Sequence, residues 1–302
     1  MLEGDSERVF GAIMDVASDR FGNVYTLDPQ VLRISVFDSL GNFLTSVGRA
    51  GRGPGEFLAP EALDVDSLNQ LYVLDVSNQR VERYVLRGRS LVRTGAFNLP
   101  FAAKDLCALG NRLYLLGLHN GASVHQYTPD GRIVRSFGAV YGRGHTVLER
   151  SMARGYLACA RQSGIVLLLP LMAGNVHAYS ASGEFLWRAR IPDYRPVMIR
   201  TRRDGGVEYR TRNGASHHLA SSIVELYPSL ALVQVGFLGQ GVQARGDFAR
   251  IDSYAVSLRN GRISKLSRPL PRVVSSMGKR ALATQVNPYP KVTVYHIRER
   301  AR

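Results

Sequence analysis

Apolar and polar positions alternate along the chain in short bursts broken by tight polar turns, a period-two rhythm of strands rather than the 3.6-residue period of helices. Residues 41–84, GNFLTSVGRAGRGPGEFLAPEALDVDSLNQLYVLDVSNQRVERY, show it most plainly. Ala62 to Asp66 alternates as a half-buried strand does. Ser67-Leu68-Asn69-Gln70 reads as a hairpin turn, since Asn tolerates positive φ between strand formers. Leu71 to Leu74 is an apolar run of strand length. Asp75 to Arg80 is polar and turn-prone, and Val81 to Leu86 alternates again. The pattern predicts a meander of antiparallel strands. Such a sheet has two faces, cannot bury both alone, and must stack against copies of itself.

Copies are present on both sides. The first reads Ile13 to Ala17, Val24 to Leu27, Leu32 to Phe37 and Phe43 to Gly48. The third runs from Lys104 to Gly138, with Pro129-Asp130-Gly131 as the turn before its last strand. A fourth, more degenerate copy uses Leu157 to Ala160, Ile165 to Leu169, Val176 to Tyr179 and Glu184 to Ala189. It carries the only tryptophan, Trp187, expected between sheet faces. The fifth uses Ile223 to Leu226, Leu230 to Phe237, Ile251 to Leu258 and Ile263 to Leu266. The sixth has three strands, Arg272 to Ser275, Arg280 to Gln285 and Lys291 to Ile297. Between the fourth and fifth lies an irregular basic segment, residues 192–214, expected to form a two-stranded hairpin with a glycine turn. Aligned copies place Asp15, Asp64 and Asp105 at one repeat position, Tyr25, Tyr72 and Tyr114 at another, and Phe37, Tyr84 and Tyr127 at a third. Residues that recur in every copy point to structural roles, because a single active site needs no duplicates.

Gly53, Gly55, Glu56, Phe57, Pro60, Asp64, Asp66, Tyr72, Asp75, Asn78, Arg80 and Tyr84 fall in a pattern that resembles the NHL repeat. The resemblance is strongest in the second copy, extends over residues 13–138 and weakens beyond. It implies an all-β fold: a six-bladed β-propeller of NHL/TolB-like type with four-stranded antiparallel blades, filling residues 1–302 as one domain. The sixth copy lacks a fourth strand, and Arg8 to Ala12 is the segment expected to supply it. That pairing would close the ring and remove exposed sheet edges.

The chain has 302 residues, is 45% hydrophobic and carries a formal charge of +15, with a pI near 10.2. No run of eighteen apolar residues exists, so no membrane span is expected. The cations are nearly all arginine; the lysines are Lys104, Lys265, Lys279 and Lys291. A field of this sign attracts polyanions, although arginine-rich composition also arises without function. The first residues, MLEGDSERVFGAIMDV, have no leader pattern. The chain as written reads as cytoplasmic, whereas an upstream leader would make it periplasmic or secreted, as similar bacterial propellers often are. Cys107 and Cys159 read as two small core residues, and a disulfide between neighbouring copies stays open.

Ligands of propellers tend to sit at the channel mouth or on the loops of one face. The loop residues able to bind one here are Arg49, Arg52, Glu56, Asp75, Asn78, His119, Asn120, Arg143, His145, Arg195 and Asn287. The glycines of GRGPGEF suit tight turns and close packing; the Lys-Ser/Thr ending and following helix of a phosphate loop are missing. The histidines show no metal-ligand spacing, and adjacent His217 and His218 point to opposite faces of a strand. No GxSxG element is present. No catalytic residue, metal or cofactor is assigned. The favoured reading is a non-catalytic, monomeric binding scaffold for a protein or small-molecule partner. One alternative is a metal-dependent hydrolase or lyase of gluconolactonase-like type. Another is RNA binding through Arg200, Arg202, Arg203, Arg210 and Arg212, with Tyr194 and Tyr209 interleaved for stacking.

Overall fold

The computed structural model describes residues 10–142, 144–204, 206–210, 217–238, 248, 250–285 and 289–298, without the Arg210 side chain. Blade one is β1 (Asp15–Ser18), β2 (Val24–Asp28), β3 (Arg33–Phe37) and β4 (Phe43–Val47). Blade two is β5 (Pro60–Val65), β6 (Gln70–Asp75), β7 (Arg80–Arg87) and β8 (Ser90–Asn98). Blade three is β9 (Asp105–Leu109), β10 (Arg112–His119), β11 (Ala122–Tyr127) and β12 (Ile133–Phe137), followed by a short helix, α1 (Thr146–Met152). Blade four is β13 (Gly155–Ala160), β14 (Ile165–Pro170), β15 (Asn175–Ser180) and β16 (Phe185–Arg190). The expected basic hairpin follows as β17 (Met198–Thr201) and β18 (Val207–Arg210), a separate two-stranded sheet. Blade five is β19 (His217–Tyr227), β20 (Leu230–Leu238), β21 (Arg250–Ser257) and β22 (Ile263–Lys265). Blade six is β23 (Arg272–Met277), β24 (Arg280–Gln285) and β25 (Lys291–His296). Every pairing between these strands is antiparallel and sequential, and the first strands neighbour one another in turn, β1 to β5 to β9 to β13 to β19 to β23 and back to β1. The fold is an all-β, six-bladed propeller.

The physical reason for the ring is visible in its core. Buried apolar residues fall into six clusters, one for each interface between neighbouring blades. Second strands such as β2 and β14 are buried along their whole length. Their alternate residues serve opposite interfaces: Tyr25 and Leu27 pack toward blade two, and Val24 toward blade six. Trp187 sits between blades four and five as expected, its indole N–H donating to the Leu258 carbonyl at 2.9 Å. Blade six packs against blade one through Leu282 and Val292 on one side and Phe10, Ile13 and Val16 on the other. Phe10 to Ala12 hold no strand, and Arg8 and Val9 of the expected closing strand lie outside the described residues.

Three sequence expectations change. Cys107 and Cys159 are not separate core residues: they form a disulfide joining β9 to β13, the first strands of neighbouring blades, with Cα atoms 5.6 Å apart. The three aspartates also do not share one repeat position. Asp15 and Asp105 lie opposite Leu27 and Leu116, each two residues beyond the repeat tyrosine, whereas Asp64 lies opposite Tyr72 itself. Blade five also begins earlier than its apolar pattern indicates, because polar His217 to Ser222 belong to β19.

Strand-joining turns lie at the two ends of the ring. The β1–β2 and β3–β4 types of turn form one end, here the turn face. The opposite end, the loop face, carries the turns between second and third strands and the links between blades. Asp28 and Asp75, at the ends of β2 and β6, lock this face. The Asp28 carboxylate accepts the N–H groups of Gly11 and Ala12 at 2.7 and 3.2 Å. That of Asp75 accepts those of Leu58 and Ala59, both at 3.0 Å. Each latch ties the incoming link of a blade to its own second strand.

Candidate functional site: a basic cleft on the loop face

Blade three lacks the latch. Gly117 stands at the position of Asp28 and Asp75, three residues after the repeat tyrosine. Phe101 packs directly on it; a Cβ added to Gly117 would lie 2.7 Å from the Phe101 ring. With no carboxylate binding the link to the strand, a cleft of about 930 Å³ opens there. Its walls are Pro100 to Ala102, Lys104, Leu118 to Gly121, Gly144, and α1 through Thr146, Glu149 and Arg150. The His119 ring stacks on Phe101, with centroids 5.3 Å apart. Behind Phe101, buried His125 has Nε2 2.9 Å from the Gly117 carbonyl and Nδ1 2.8 Å from the Ser136 hydroxyl. A carbonyl only accepts, so His125 carries its proton on Nε2, and Ser136 donates to Nδ1. Burial pushes the His125 pKa below the usual histidine range, keeping this support neutral. Lys104 and Arg150 face the cleft from opposite walls, and among the described residues neither has a carboxylate partner. Glu149 is occupied locally, its Oε1 accepting the Gly144 N–H at 2.9 Å. The cleft can therefore present a flat aromatic surface and two cations to a ligand.

The sequence candidates do not converge on one place. His119 and Asn120 line the cleft. His145 caps α1 beside it, Nδ1 accepting the Leu148 N–H at 3.2 Å. Arg49, Arg52, Glu56, Asp75 and Asn78 instead build one self-contained loop above blade two. Glu56 pairs with Arg49 at 2.9 Å and accepts the Gly53 N–H at 2.8 Å. The Gly53 bond first, then Arg49, holds its carboxyl below the usual range. Arg80 donates to the carbonyls of Arg52, Gly53 and Glu56 at 2.7–2.8 Å, and Asn78 to that of Gly51 at 3.1 Å. A Cβ on Gly51 would lie 2.0 Å from the Glu56 carboxylate, so close packing explains that glycine. Arg195 lies in the link between β16 and β17, where its backbone brackets buried His218 of blade five. Arg143 and Asn287 lie outside the described residues, as do Arg212 and the side chain of Arg210. On the hairpin, Arg200, Arg202, Arg203 and Tyr209 are exposed. Tyr194 instead packs on the core between blades four and five, its hydroxyl bonded to the carbonyls of Leu171 and His218.

The central channel carries a second polar feature. The Asp15, Asp64 and Asp105 carboxylates each accept an N–H from the next blade's first strand, those of Leu63, Ala108 and Leu157, at 2.8, 2.9 and 2.6 Å. Arg161 of blade four reaches Asp64 of blade two at 2.6 Å, bridging blades that are not neighbours and so crossing the axis. Burial pushes the Asp15 pKa up to about 7, and Asp64's charge adds to the rise. Asp105 rises in the same way, burial first and then Asp15's charge. The recurring aspartates were legible in the sequence, but Arg161 was not, because nothing in its turn marks it as an axial residue. Among the described residues, no group of three or more His, Cys, Asp or Glu side chains is placed to hold a metal ion.

These features define a six-bladed propeller with a cationic, aromatic-floored cleft on its loop face. Residues 1–125 match the DUF5128 family, described as a 6-bladed beta-propeller. No curated protein matches the chain. Solved structures similar to it include virginiamycin B lyase from Staphylococcus aureus, at 12% identity and a TM-score of 0.56, covering 96% of this chain and 85% of that one. A putative exported protein from Bacteroides fragilis has 13% identity and a TM-score of 0.59, covering 94% and 82%. The Cps50 (Swd1) beta-propeller domain from Myceliophteria thermophila has 8% identity and a TM-score of 0.51, covering 95% and 98%. At such identities the likeness concerns the fold alone.

Proposed function

We propose that this protein is a non-catalytic binding module of NHL/TolB-like type whose loop-face cleft takes an anionic ligand. One observation carries the reading: Lys104 and Arg150, without carboxylate partners among the described residues, flank the stacked His119 and Phe101. A carboxylate or phosphate group would meet the two cations, and an apolar or aromatic part would lie on the rings. The cross-blade disulfide supports work in an oxidising compartment, where such bonds persist. Thermal unfolding in the presence of citrate, inorganic phosphate and an acidic aromatic peptide tests the reading. At least one should raise the midpoint of the parent chain, and the rise should vanish in Lys104→Glu/Arg150→Glu. No rise with any probe, or the same rise in the variant, would overturn it.

The exposed Arg200, Arg202, Arg203 and Tyr209 of the β17–β18 hairpin favour RNA binding as a second reading. Its mark is salt-sensitive retention of single-stranded RNA that disappears in Arg202→Glu/Arg203→Glu. Retention indifferent to those changes removes it.

A further inference from the structure

Three turns on the turn face have one design. In Asp19–Asn23, Asp38–Asn42 and Asp66–Gln70, the Oδ1 of the first residue accepts the N–H groups of the third and fifth, at 2.8–2.9 Å throughout. The Oδ2 of Asp19 also takes the Tyr25 hydroxyl at 3.0 Å, and that of Asp66 takes Tyr72's at 3.0 Å. The fourth residue supplies the positive φ each turn requires: Gly22 at 83°, Gly41 at 94° and Asn69 at 61°. This bonding ties each carboxylate to its own turn and holds the third side chain outward. In all three turns that side chain is large and apolar. Phe21, Leu40 and Leu68 are 66, 86 and 72% exposed. The corresponding residues of the β11–β12 and β15–β16 turns are Asp130 and Ser182, so the apolar tips are confined to blades one and two.

Cations surround these tips. The Arg20 guanidinium lies over the Phe21 ring, 4.9 Å from its centroid. Arg89, in the β7–β8 turn, donates to the Phe43 carbonyl beside the Leu40 turn at 3.0 Å. Arg280 lies against Gly22, where an added Cβ would meet its Nη1 at 2.6 Å, and exposed Lys279 precedes it.

We propose that this end of the ring docks on an anionic lipid surface, with Phe21, Leu40 and Leu68 entering the headgroup–acyl boundary. Arg20, Arg89, Lys279 and Arg280 would engage the headgroup phosphates. Apolar tips among cations at one end of the ring match an interfacial membrane contact, and the net charge of +15 acts in the same direction. A protein partner would need separate pockets for three rigid protrusions at once, whereas a fluid interface yields to any shape. Docked this way, the chain would present its loop-face cleft to the solvent.

Co-sedimentation with phosphatidylcholine vesicles, with and without phosphatidylglycerol, tests this. The parent chain should be retained on the anionic vesicles, less so as salt rises. Phe21→Ser/Leu40→Ser/Leu68→Ser should lose roughly tenfold in partitioning for each tip removed, with an unchanged thermal midpoint. In an otherwise unaltered chain, Leu68→Trp should shift its emission to the blue on anionic vesicles. A parent chain left in the supernatant at low salt, equal retention of the triple variant, or an unshifted Leu68→Trp spectrum would overturn the proposal. Tip-dependent self-association without vesicle retention would overturn it as well.

Discussion

Glu82 shows how single residues hold a blade. It is fully buried on β7, with Arg80 and Arg93 Nε atoms at 2.9 and 2.6 Å. Removing one partner of a buried ion pair leaves uncompensated charge behind. Glu82→Ala should therefore lower stability by about 3 kcal/mol in urea unfolding, far more than the same change at exposed Glu184. Asp15 gives a pH signature. Its folded-state pKa is raised to about 7, above the ordinary aspartate value of 3.8. The folded chain thus holds this proton more tightly than the unfolded chain does. The resulting stabilisation is present in acid, declines as pH climbs from about 4, and is gone above about 7. His177 acts the other way, because burial pulls its pKa down to about 4. Its neutral form favours the fold as pH rises from about 4 toward the usual histidine value. Midpoints measured from pH 4 to 7 should fall less, or rise more, in Asp15→Asn than in the parent chain. At this scale the sequence revealed which residues recur but not their register. Alignment by residue type placed Asp64 with Asp15 and Asp105, whereas strand pairing offsets it by two residues.

Among the elements, strands were easiest to foresee, because two-sided burial forces continuous apolar runs such as β14 and one-sided burial forces alternation. The β17–β18 hairpin was equally legible from its glycine turn. Helix α1 was not. It spans seven residues, buries none of them and is capped by a histidine, so it leaves neither an apolar period nor a strong start signal. The disulfide also escaped the sequence, since pairing depends on β9 lying beside β13, which spacing along the chain does not encode. It closes a loop with a sequence separation of 52. Cys107→Ala/Cys159→Ala, or reductant, should cost about 4 kcal/mol by the loop-closure relation. The check is the shift of the denaturation midpoint of oxidised against reduced protein. The missing latch at Gly117 makes a related prediction. Gly117→Asp should displace Phe101, which packs within reach of any added Cβ, and weaken whatever the cleft binds.

At the scale of the molecule, stacking followed from repetition, since sheets with two apolar faces need neighbours on both sides, and the closed six-bladed ring followed from the resemblance to NHL repeats. The cleft did not follow, because Phe101, His119 and Arg150 come from the link before blade three, the end of β10 and α1, separate segments that only the fold brings together. The first strands of six blades surround one axis, and those of blades one to four lock to each other through carboxylates. Amide hydrogen exchange read residue by residue tests this most directly. Leu63, Ala108 and Leu157 lie on strand edges that no further strand covers, and the acceptors of their N–H groups are Asp15, Asp64 and Asp105 of the preceding blade. Slow exchange at all three, with that of Leu63 alone accelerated in Asp15→Ala, is the predicted result. Fast exchange at these amides in the parent chain, alongside protected neighbours in the same strands, would contradict it.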